Sequence, residues 1–287
     1  MNSKLRVVGN FIQLLTVLLL GSCNFINPEE QIPTYIKVDS VIVNTNADEG
    51  TAAHKIKDVW AYMDGEFIGV FELPAKFPVL GSQGNHSFLF APGIYDNGIA
   101  STHIIYRLMH GASMDINLVN GATVAPPSTP KITYFPEVTF SWMEDFESGS
   151  ISLIRVSGDT LVQDATDKYE GAYSGKIALN AADPSFNFEM FSGVSIPTTS
   201  VSYLEMHYKC DHPFFVGLAG KKSGTYVPVT ISLINASPEW NKIYISLGAA
   251  VRALSPSTDY KLFINSSISS GTTTGNFHFD NFKIVHN

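Results

Sequence analysis

The sequence contains little charge, almost no cysteine and no helical patterning. Charged residues make up 15% of the 287 residues and the net charge is −8, so the chain lacks the cationic surface that a nucleic-acid partner requires. Two cysteines cannot build a disulfide framework. No stretch longer than a turn or two places apolar residues at helical spacing. Hydrophobic residues nevertheless reach 45%, which is enough for a buried core and excludes global disorder.

Sequence signatures of catalysis are also missing. The chain has no G-x-S-x-G elbow, no H-E-x-x-H pair and no P-loop. We therefore expect that the protein is not an enzyme. One alternative stays open, because Glu144, Asp145 and Glu147 form an acidic cluster and paired carboxylates can hydrolyse glycosides.

The one long apolar run lies at the start of the chain. It extends from Val7 to Leu20 behind Lys4 and Arg6, with no acidic residue, and it is too short to span a bilayer comfortably. A basic start followed by a short apolar run is typical of an export signal. The run ends in Leu20-Gly21-Ser22-Cys23, which resembles the lipobox of bacterial lipoproteins.

The resemblance to bacterial lipoproteins implies cleavage after Ser22 and covalent lipid on Cys23. Residues 1–22 would then be a signal peptide and residues 23–33 a tether. Several acyl chains on one residue anchor a protein far more firmly than one chain does. Asn24 stands where Asp would favour retention in the inner membrane, so we expect a cell-envelope protein anchored in the outer membrane.

The rest of the sequence predicts an all-β protein. Short runs rich in Val, Ile, Tyr, Phe and Thr alternate with Gly, Pro, Asn and Asp, and Asp64-Gly65 predicts a hairpin. The predicted strands of the first part are Tyr35–Val43, Val59–Met63, Phe67–Leu73, His86–Phe90, Ile104–Leu108 and Met114–Leu118. The segment ATVAPPST at 122–129 precludes a central strand. It predicts a linker over 122–136 between a first unit at 34–121 and a second at 137–287.

Two strands of the second unit alternate as if one side of each were buried. One face of the first strand contains Leu204, Met206, Tyr208 and Cys210, and the other contains Tyr203, Glu205, His207 and Lys209. The second strand sets Ile243, Ile245 and Leu247 against Lys242, Tyr244 and Ser246. Period-2 separation of this kind is typical of a sandwich strand with one face in the core and one face polar.

Part of the first unit resembles the PEGA domain, a small β-module of bacterial envelope proteins. The resemblance rests on Ala61-Tyr62-Met63-Asp64-Gly65, Gly69, Leu73-Pro74 and Gly84-Asn85-His86. It covers about 35 residues and implies a small β-sandwich with an interaction or spacer role and no catalytic residues.

The second unit resembles the galactose-binding-like jelly rolls found in many carbohydrate-binding modules. The matching segments are residues 142–149 (WMEDFESG), 169–176 (YEGAYSGK), 240–245 (WNKIYI) and 277–284 (FHFDNFKI). They occur in the expected order and imply a jelly-roll β-sandwich with a binding role.

That family often holds a structural calcium where the first strand meets the last. Matched residue by residue, the resemblance points to Glu147 and Asp280, with backbone carbonyls near Lys168–Gly175 completing the shell. Two carboxylates, carbonyls and water suit calcium, which takes six to eight oxygens. The alternative is that Glu147 is a solvated turn residue and Asp280 caps its local backbone. No other cofactor is expected.

The sequence offers two further sets of candidate binding residues. His207, Cys210 and His212 form H-x-x-C-x-H, but along a strand His207 and Cys210 point to opposite faces. With no fourth zinc ligand nearby, we expect a buried Cys210 and surface histidines. Aromatic platforms for a glycan are offered by Tyr203, His207, Tyr244 and Phe214-Phe215, and no one of these is singled out.

The sequence therefore predicts a membrane-anchored lipoprotein with a non-catalytic binding role. The expected partner is a glycan or another extracellular molecule. A structural role, in which the units dock to other envelope proteins, and a glycan-active hydrolase are the alternatives.

Overall fold

Strands make up nearly all the regular structure, and the all-β prediction is confirmed. The computed structural model describes residues 30–287. The strands of the first unit are β1 (Thr34–Val38), β2 (Ile42–Val43), β3 (Asp58–Met63), β4 (Glu66–Glu72), β5 (Ala75–Val79), β6 (Gly84–Tyr95), β7 (His103–Ile105), β8 (Met109–His110), β9 (Ala112–Leu118), β10 (Thr123–Val124) and β11 (Lys131–Tyr134). A 3-10 turn spans Ala47–Glu49.

The second unit contains the longer strands. They are β12 (Thr139–Glu144), β13 (Leu153–Gly158), β14 (Val162–Asp164), β15 (Ser174–Asn180), β16 (Ser185–Met190), β17 (Ser202–Cys210), β18 (Phe214–Lys222), β19 (Thr225–Ile234), β20 (Ser237–Ser246), β21 (Tyr260–Ser267) and β22 (Thr274–His286). Within residues 30–287 the single α-helix is α1 (Gly248–Ala253).

The first unit folds three small sheets around one core. Their strand orders are β10-β1-β5, β2-β11-β8 and β4-β3-β6-β7, with β9 also paired to β6. Fully buried members of the core are Ile36, Phe77, Phe88, Phe90, Ile116 and Ile132. The segment predicted as a linker over 122–136 contains β10 and β11, which pair with β1 and with β2 and β8. Part of this segment therefore belongs to the first unit.

The predicted hairpin is confirmed at Asp64-Gly65. Strands β3 and β4 pair antiparallel on either side of it. Asp64 has φ 53° and Gly65 has φ 87°, so both central residues occupy the left-handed region that this two-residue turn requires.

The second unit is a sandwich of two sheets. The inner sheet has the order β14-β15-β22-β17-β20, with β12 paired to the far half of β22, and the outer sheet has the order β13-β16-β21-β18-β19. Aromatic rings fill the space between them; Phe214 and Phe279 meet edge to face at 5.3 Å. Both predicted core faces are confirmed by the members Leu204, Met206, Tyr208, Cys210, Ile243, Ile245 and Leu247.

The prediction that β17 and β20 each have only one buried side is wrong. The first unit packs against the inner sheet, so Tyr203, Glu205 and His207 are buried on the opposite face of β17. Tyr203 and Tyr244 belong to the first unit's core. The period-2 alternation correctly separates polar from apolar side chains, but it does not show whether the polar ones are exposed. Here the polar side chains contact the other unit instead of water.

Glu205 lies at the centre of this interface and is completely buried. Its Oε1 accepts hydrogen bonds from the hydroxyls of Tyr106 at 2.6 Å and Tyr134 at 2.7 Å. The Nζ of Lys242 lies 2.7 Å from its Oε2 and also donates to the carbonyl of Ala53 at 2.7 Å. Two tyrosine hydroxyls and one backbone carbonyl of the first unit therefore contact a buried carboxylate–lysine pair of the second unit.

A second lysine lies beside Glu205 on the neighbouring strand. Lys283 pairs in register with Glu205 and donates to the carbonyl of Thr51 at 2.6 Å. Burial alone would raise the pKa of Glu205, but Lys242, Lys283 and the hydrogen bonds hold it at about 2. Burial lowers the pKa of Lys283 to about 8, against the attraction of Glu205. The carboxylate is therefore ionised at neutral pH.

Backbone contacts join the same two units. The N–H of Asn97 donates to the carbonyl of Tyr244 at 3.0 Å, and the N–H of Ser246 donates to Oδ1 of Asn97 at 2.9 Å. The hydroxyl of Tyr244 accepts from the N–H of Lys55 at 3.0 Å. Because these bonds cross between units, the first unit holds a defined position on the inner sheet.

Replacing Glu205 with Gln tests this interface. The substitution keeps the volume but leaves two buried lysines without their counter-charge, so we expect the free energy of unfolding to fall by about 3 to 5 kcal/mol at pH 7. The pKa of Glu205 is depressed from 4.5, so its stabilising effect is present above pH 4.5 and is lost as the pH falls toward 2. The difference between the two proteins in urea unfolding should therefore shrink over that range.

The control is Asp39→Asn, which removes an exposed pair with Lys37 at 2.9 Å and should change the unfolding free energy by less than about 1 kcal/mol. An equal fall in the free energy of unfolding for the two variants would contradict the central role of Glu205 in the interface.

Candidate functional site

The outer sheet keeps one face open to solvent. On β21, Leu262 and Ile264 point into the core, while Lys261, Phe263 and Asn265 alternate with them and are partly exposed. We call this exposed side the outer face. Its side chains are Asn187, Glu189, Phe215, Tyr226, Lys261, Phe263 and Asn265.

Strand register aligns these side chains in two neighbouring rows. In one row Asn187 pairs with Asn265, and Asn265 pairs in turn with Phe215. In the next row Glu189 pairs with Phe263. Each row therefore places an aromatic ring beside a hydrogen-bonding side chain.

Gly217 lets the ring of Phe263 lie against the sheet. A Cβ at position 217 would lie 2.0 Å from Cζ of Phe263, so any side chain there would displace the ring. Phe215, two residues before the glycine, is 42% exposed. The two rings form an apolar surface in the middle of the outer face.

One end of the outer face is charged but balanced. Lys261 Nζ lies 3.0 Å from Oε1 of Glu189 and 4.9 Å from the ring centre of Tyr226. The hydroxyl of Tyr226 donates to Oδ2 of Asp259 at 2.8 Å, and Lys221 lies 3.6 Å from the same oxygen. Burial and the bond to Asp259 raise the pKa of Tyr226 to about 12, so the hydroxyl stays protonated.

Glu147 and Asp280, the predicted calcium ligands, face the same loop between β14 and β15. Oε1 of Glu147 accepts hydrogen bonds from the N–H groups of Ala172 at 2.8 Å and Tyr173 at 3.0 Å. Oδ2 of Asp280 accepts from the N–H of Tyr169 at 3.1 Å. The two carboxylates together hold the loop in place.

The groups around Glu147 and Asp280 do not form a calcium shell. Calcium needs six to eight oxygens, whereas peptide N–H groups face both carboxylates. In the part of the chain that the structure describes, no group of three or more His, Cys, Asp and Glu side chains is placed to hold a metal ion. Burial raises the pKa of Asp280 to about 7, against the hydrogen bonds from the loop. Calcium binding stays a prediction of the family resemblance, and the hydrogen bonds to the loop favour the alternative in which both carboxylates bind local backbone.

The other members of the acidic cluster shape the turn after β12. Oε1 of buried Glu144 accepts from the N–H of Phe146 at 2.8 Å, and Oε2 accepts from the hydroxyl of Ser152 at 2.6 Å. Asp145 accepts from the N–H of Glu147 at 3.1 Å. Both acids fix local backbone.

His207 and Cys210 point to opposite faces, as the spacing predicts. Cys210 is in the core, and His207 stacks on Tyr169 with ring centres 3.8 Å apart. The prediction of a surface histidine is wrong for His207, which is 1% exposed because the first unit and the loop cover the inner sheet. Burial, with Lys242 nearby, lowers its pKa to about 3. His212 lies beside Asp211 at 2.7 Å.

The aromatic residues that the sequence offers as glycan platforms divide into buried and exposed residues. Tyr203, His207 and Tyr244 are buried under the first unit, and Phe214 is in the core, so none of them is an exposed platform. Phe215 lies on the outer face. Phe263 was missed, although the alternation of Lys261, Phe263 and Asn265 with apolar residues would have placed it on an exposed face. The proposed lipid site Cys23 lies outside the described residues.

No family model matches the chain, and no curated protein matches it. Solved structures of xylan-binding modules do match. A xylan-binding domain from CBM22 is 15% identical, with a TM-score of 0.39, covering 52% of this chain and 96% of that chain. The CBM22-1 xylan-binding domain from Paenibacillus barcinonensis Xyn10C is 12% identical, with a TM-score of 0.39 and coverages of 52% and 94%.

A family 30 module also matches. This carbohydrate-binding module, from a cellulosomal cellulase of Clostridium thermocellum, is 18% identical, with a TM-score of 0.33 and coverages of 52% and 92%. Because these TM-scores and identities are low, the fold rests on the strand order and core described above.

A titration decides the calcium prediction. With peptide N–H groups facing both carboxylates, we expect no heat on adding millimolar calcium to the chelated protein and no change in its melting temperature. A calcium-dependent rise in melting temperature that Asp280→Asn abolishes would establish the site instead. Asp39→Asn, which alters an exposed acid elsewhere, is the matched control.

Proposed function

We propose that this protein is a lipid-anchored protein of the cell envelope that binds polysaccharide without transforming it. The outer face is the binding surface. The observation that supports this most directly is the pair of exposed Phe215 and partly exposed Phe263, flanked by amide, carboxylate and ammonium groups in adjacent register.

The chemistry of the outer face suits a sugar chain. A pyranose ring has apolar C–H faces, which pack on aromatic rings, and hydroxyls at its rim, which both donate and accept hydrogen bonds. Asn187 and Asn265 each offer a donor and an acceptor at the edge of the rings. A flat row of such groups along several strands accommodates an extended polymer better than a compact ligand.

The charge balance of the outer face favours a neutral polymer. Glu189 and Asp259 are matched by Lys261 and Lys221 at 3.0 and 3.6 Å. An uncharged sugar can exchange hydrogen bonds with these pairs without leaving one ion buried alone, which would be costly.

The location in the envelope is supported by the start of the sequence. The basic residues, the apolar run and the L-G-S-C ending together favour acylation of Cys23. Among residues 30–287 no helix is long and apolar enough to cross a membrane. The proposed attachment, the lipid on Cys23, rests on the resemblance of Leu20-Gly21-Ser22-Cys23 to a lipobox.

Replacing Phe263 with Ala tests the outer face. The processed chain carrying Cys23→Ser should be retarded in native gels that contain a neutral polysaccharide from a panel of xylan, mannan and mixed-linkage glucan. Loss of the ring should weaken binding about tenfold, because one aromatic contact and its buried area are removed.

Phe67→Ala is the matched control, since Phe67 is an exposed phenylalanine on the first unit and its loss should leave binding unchanged. The outer face is not the binding site if none of the polymers retards the protein, or if Phe263→Ala leaves the retardation unchanged. Sugar products released from a bound polymer would contradict the non-catalytic proposal.

Replacing Cys23 with Ala tests the anchor. Cells fed labelled palmitate should label the native protein and not the variant, and the variant should leave the membrane fraction. Cys210→Ala is the control and should label normally, because Cys210 is buried in the core and burial raises the pKa of its thiol to about 11. Equal labelling of the Cys23→Ala variant would refute the anchor.

A further inference from the structure

A cavity lies where the first unit meets the end of the sandwich. Its volume is about 510 Å³, within the range of small-molecule sites. Strand β3, strand β7 with the turn after it, the segment that leads into β17, and helix α1 with the end of β20 line it. We call it the arginine cavity, and its residues are Trp60, Ile104, Ile105, Arg107, Thr199, Ser200, Val201, Ser202, Tyr203, Ser246, Gly248 and Arg252.

Arginine is concentrated in this one place. Residues 30–287 contain three arginines, and two of them, Arg107 and Arg252, line the cavity. Neither makes a salt bridge or a side-chain hydrogen bond within the described residues, whereas Arg155, outside the cavity, bonds to the carbonyl of Gly158 at 3.1 Å. Two unpaired guanidinium groups flank one cavity in a protein whose net charge is −8.

Both arginines line the cavity, and both are exposed. Gly248 leaves room for one of them, since a Cβ at 248 would lie 3.2 Å from Nη1 of Arg252. Arg107 lines the cavity beside Tyr203. The two cationic residues therefore come from different units and line the same cavity.

Hydroxyl groups supply the neutral part of the wall. Thr199, Ser200 and Ser246 line the cavity, and Ser202 is 2% exposed with no hydrogen-bond partner for its Oγ among the described residues. A buried hydroxyl without a partner is costly, and a bound polar ligand would satisfy it. Trp60 provides an apolar aromatic surface on the opposite unit.

We propose that the arginine cavity binds an acidic saccharide of one or two rings. The two arginines hold its anionic group, a carboxylate or a sulfate, because a guanidinium pairs with either through parallel hydrogen bonds. The serine hydroxyls bond the sugar hydroxyls, and Trp60 packs on a ring face. This site is separate from the outer face and does not depend on polysaccharide binding there.

Calorimetry on the processed chain carrying Cys23→Ser tests the proposal. The probes are digalacturonate for the carboxylate, a heparin disaccharide for the sulfate, and neutral galactobiose. We expect one of the two acidic probes to bind, the neutral one to give no heat, and added salt to weaken binding. Arg107→Gln and Arg252→Gln should each weaken it about tenfold or more, since each removes charge-assisted hydrogen bonds.

Arg155→Gln is the matched control and should bind like the native chain. Both cavity arginines are exposed, so their variants should keep the native unfolding midpoint. Ser202→Ala should weaken binding without lowering stability, because its hydroxyl has no partner to lose. The proposal is overturned if neither acidic probe binds, or if binding is indifferent to both cavity arginines.

The two sites can fail separately. Phe263→Ala should leave the acidic disaccharide unaffected, and Arg107→Gln should leave neutral polysaccharide unaffected. If the native chain binds only one of the two ligands, the proposal for the other site is wrong and the first is unaffected.

Discussion

The ionised carboxylate of Glu205, buried between two lysines and two tyrosine hydroxyls, is the constraint on which the architecture depends. A buried charge is tolerated only when every partner is in place, so this contact is satisfied by one relative position of the two units. That position covers the inner sheet, leaves the outer face to solvent, and brings Arg107 next to the segment that carries Arg252. Both proposed binding surfaces follow from how this single charge is neutralised.

The elements of the fold could be predicted where the information is local. The alternation of Leu204, Met206 and Tyr208 identifies the core face of β17, and Asp64-Gly65 identifies a hairpin, because side-chain direction and turn geometry depend on neighbouring residues. The second buried face of β17 could not be predicted. The sequence of a strand shows which side chains are polar, but not whether each one faces water or a buried partner. The partner of Glu205 is a lysine 37 residues further along the chain.

The candidate sites show the same contrast between local features, which the sequence predicts, and contacts between distant segments, which it does not. The family resemblance brought Glu147 and Asp280 to one loop, although the groups that face them are N–H donors. The outer face was not predicted because it is assembled from β16, β18 and β21, which lie far apart in the sequence. Phe263 owes its position to the missing side chain of Gly217 on the neighbouring strand. Such complementarity across strands becomes visible only when the register is known.

Residues close to the proposed anchor lie on the first unit. The carbonyl of Pro33 accepts a hydrogen bond from the N–H of Gly121 at 3.0 Å, so Pro33 is held on that unit. The outer face lies on the other side of the sandwich from that unit. With the proposed lipid on Cys23, the first unit would lie between the membrane and the sandwich, and the outer face would be on the side away from the bilayer.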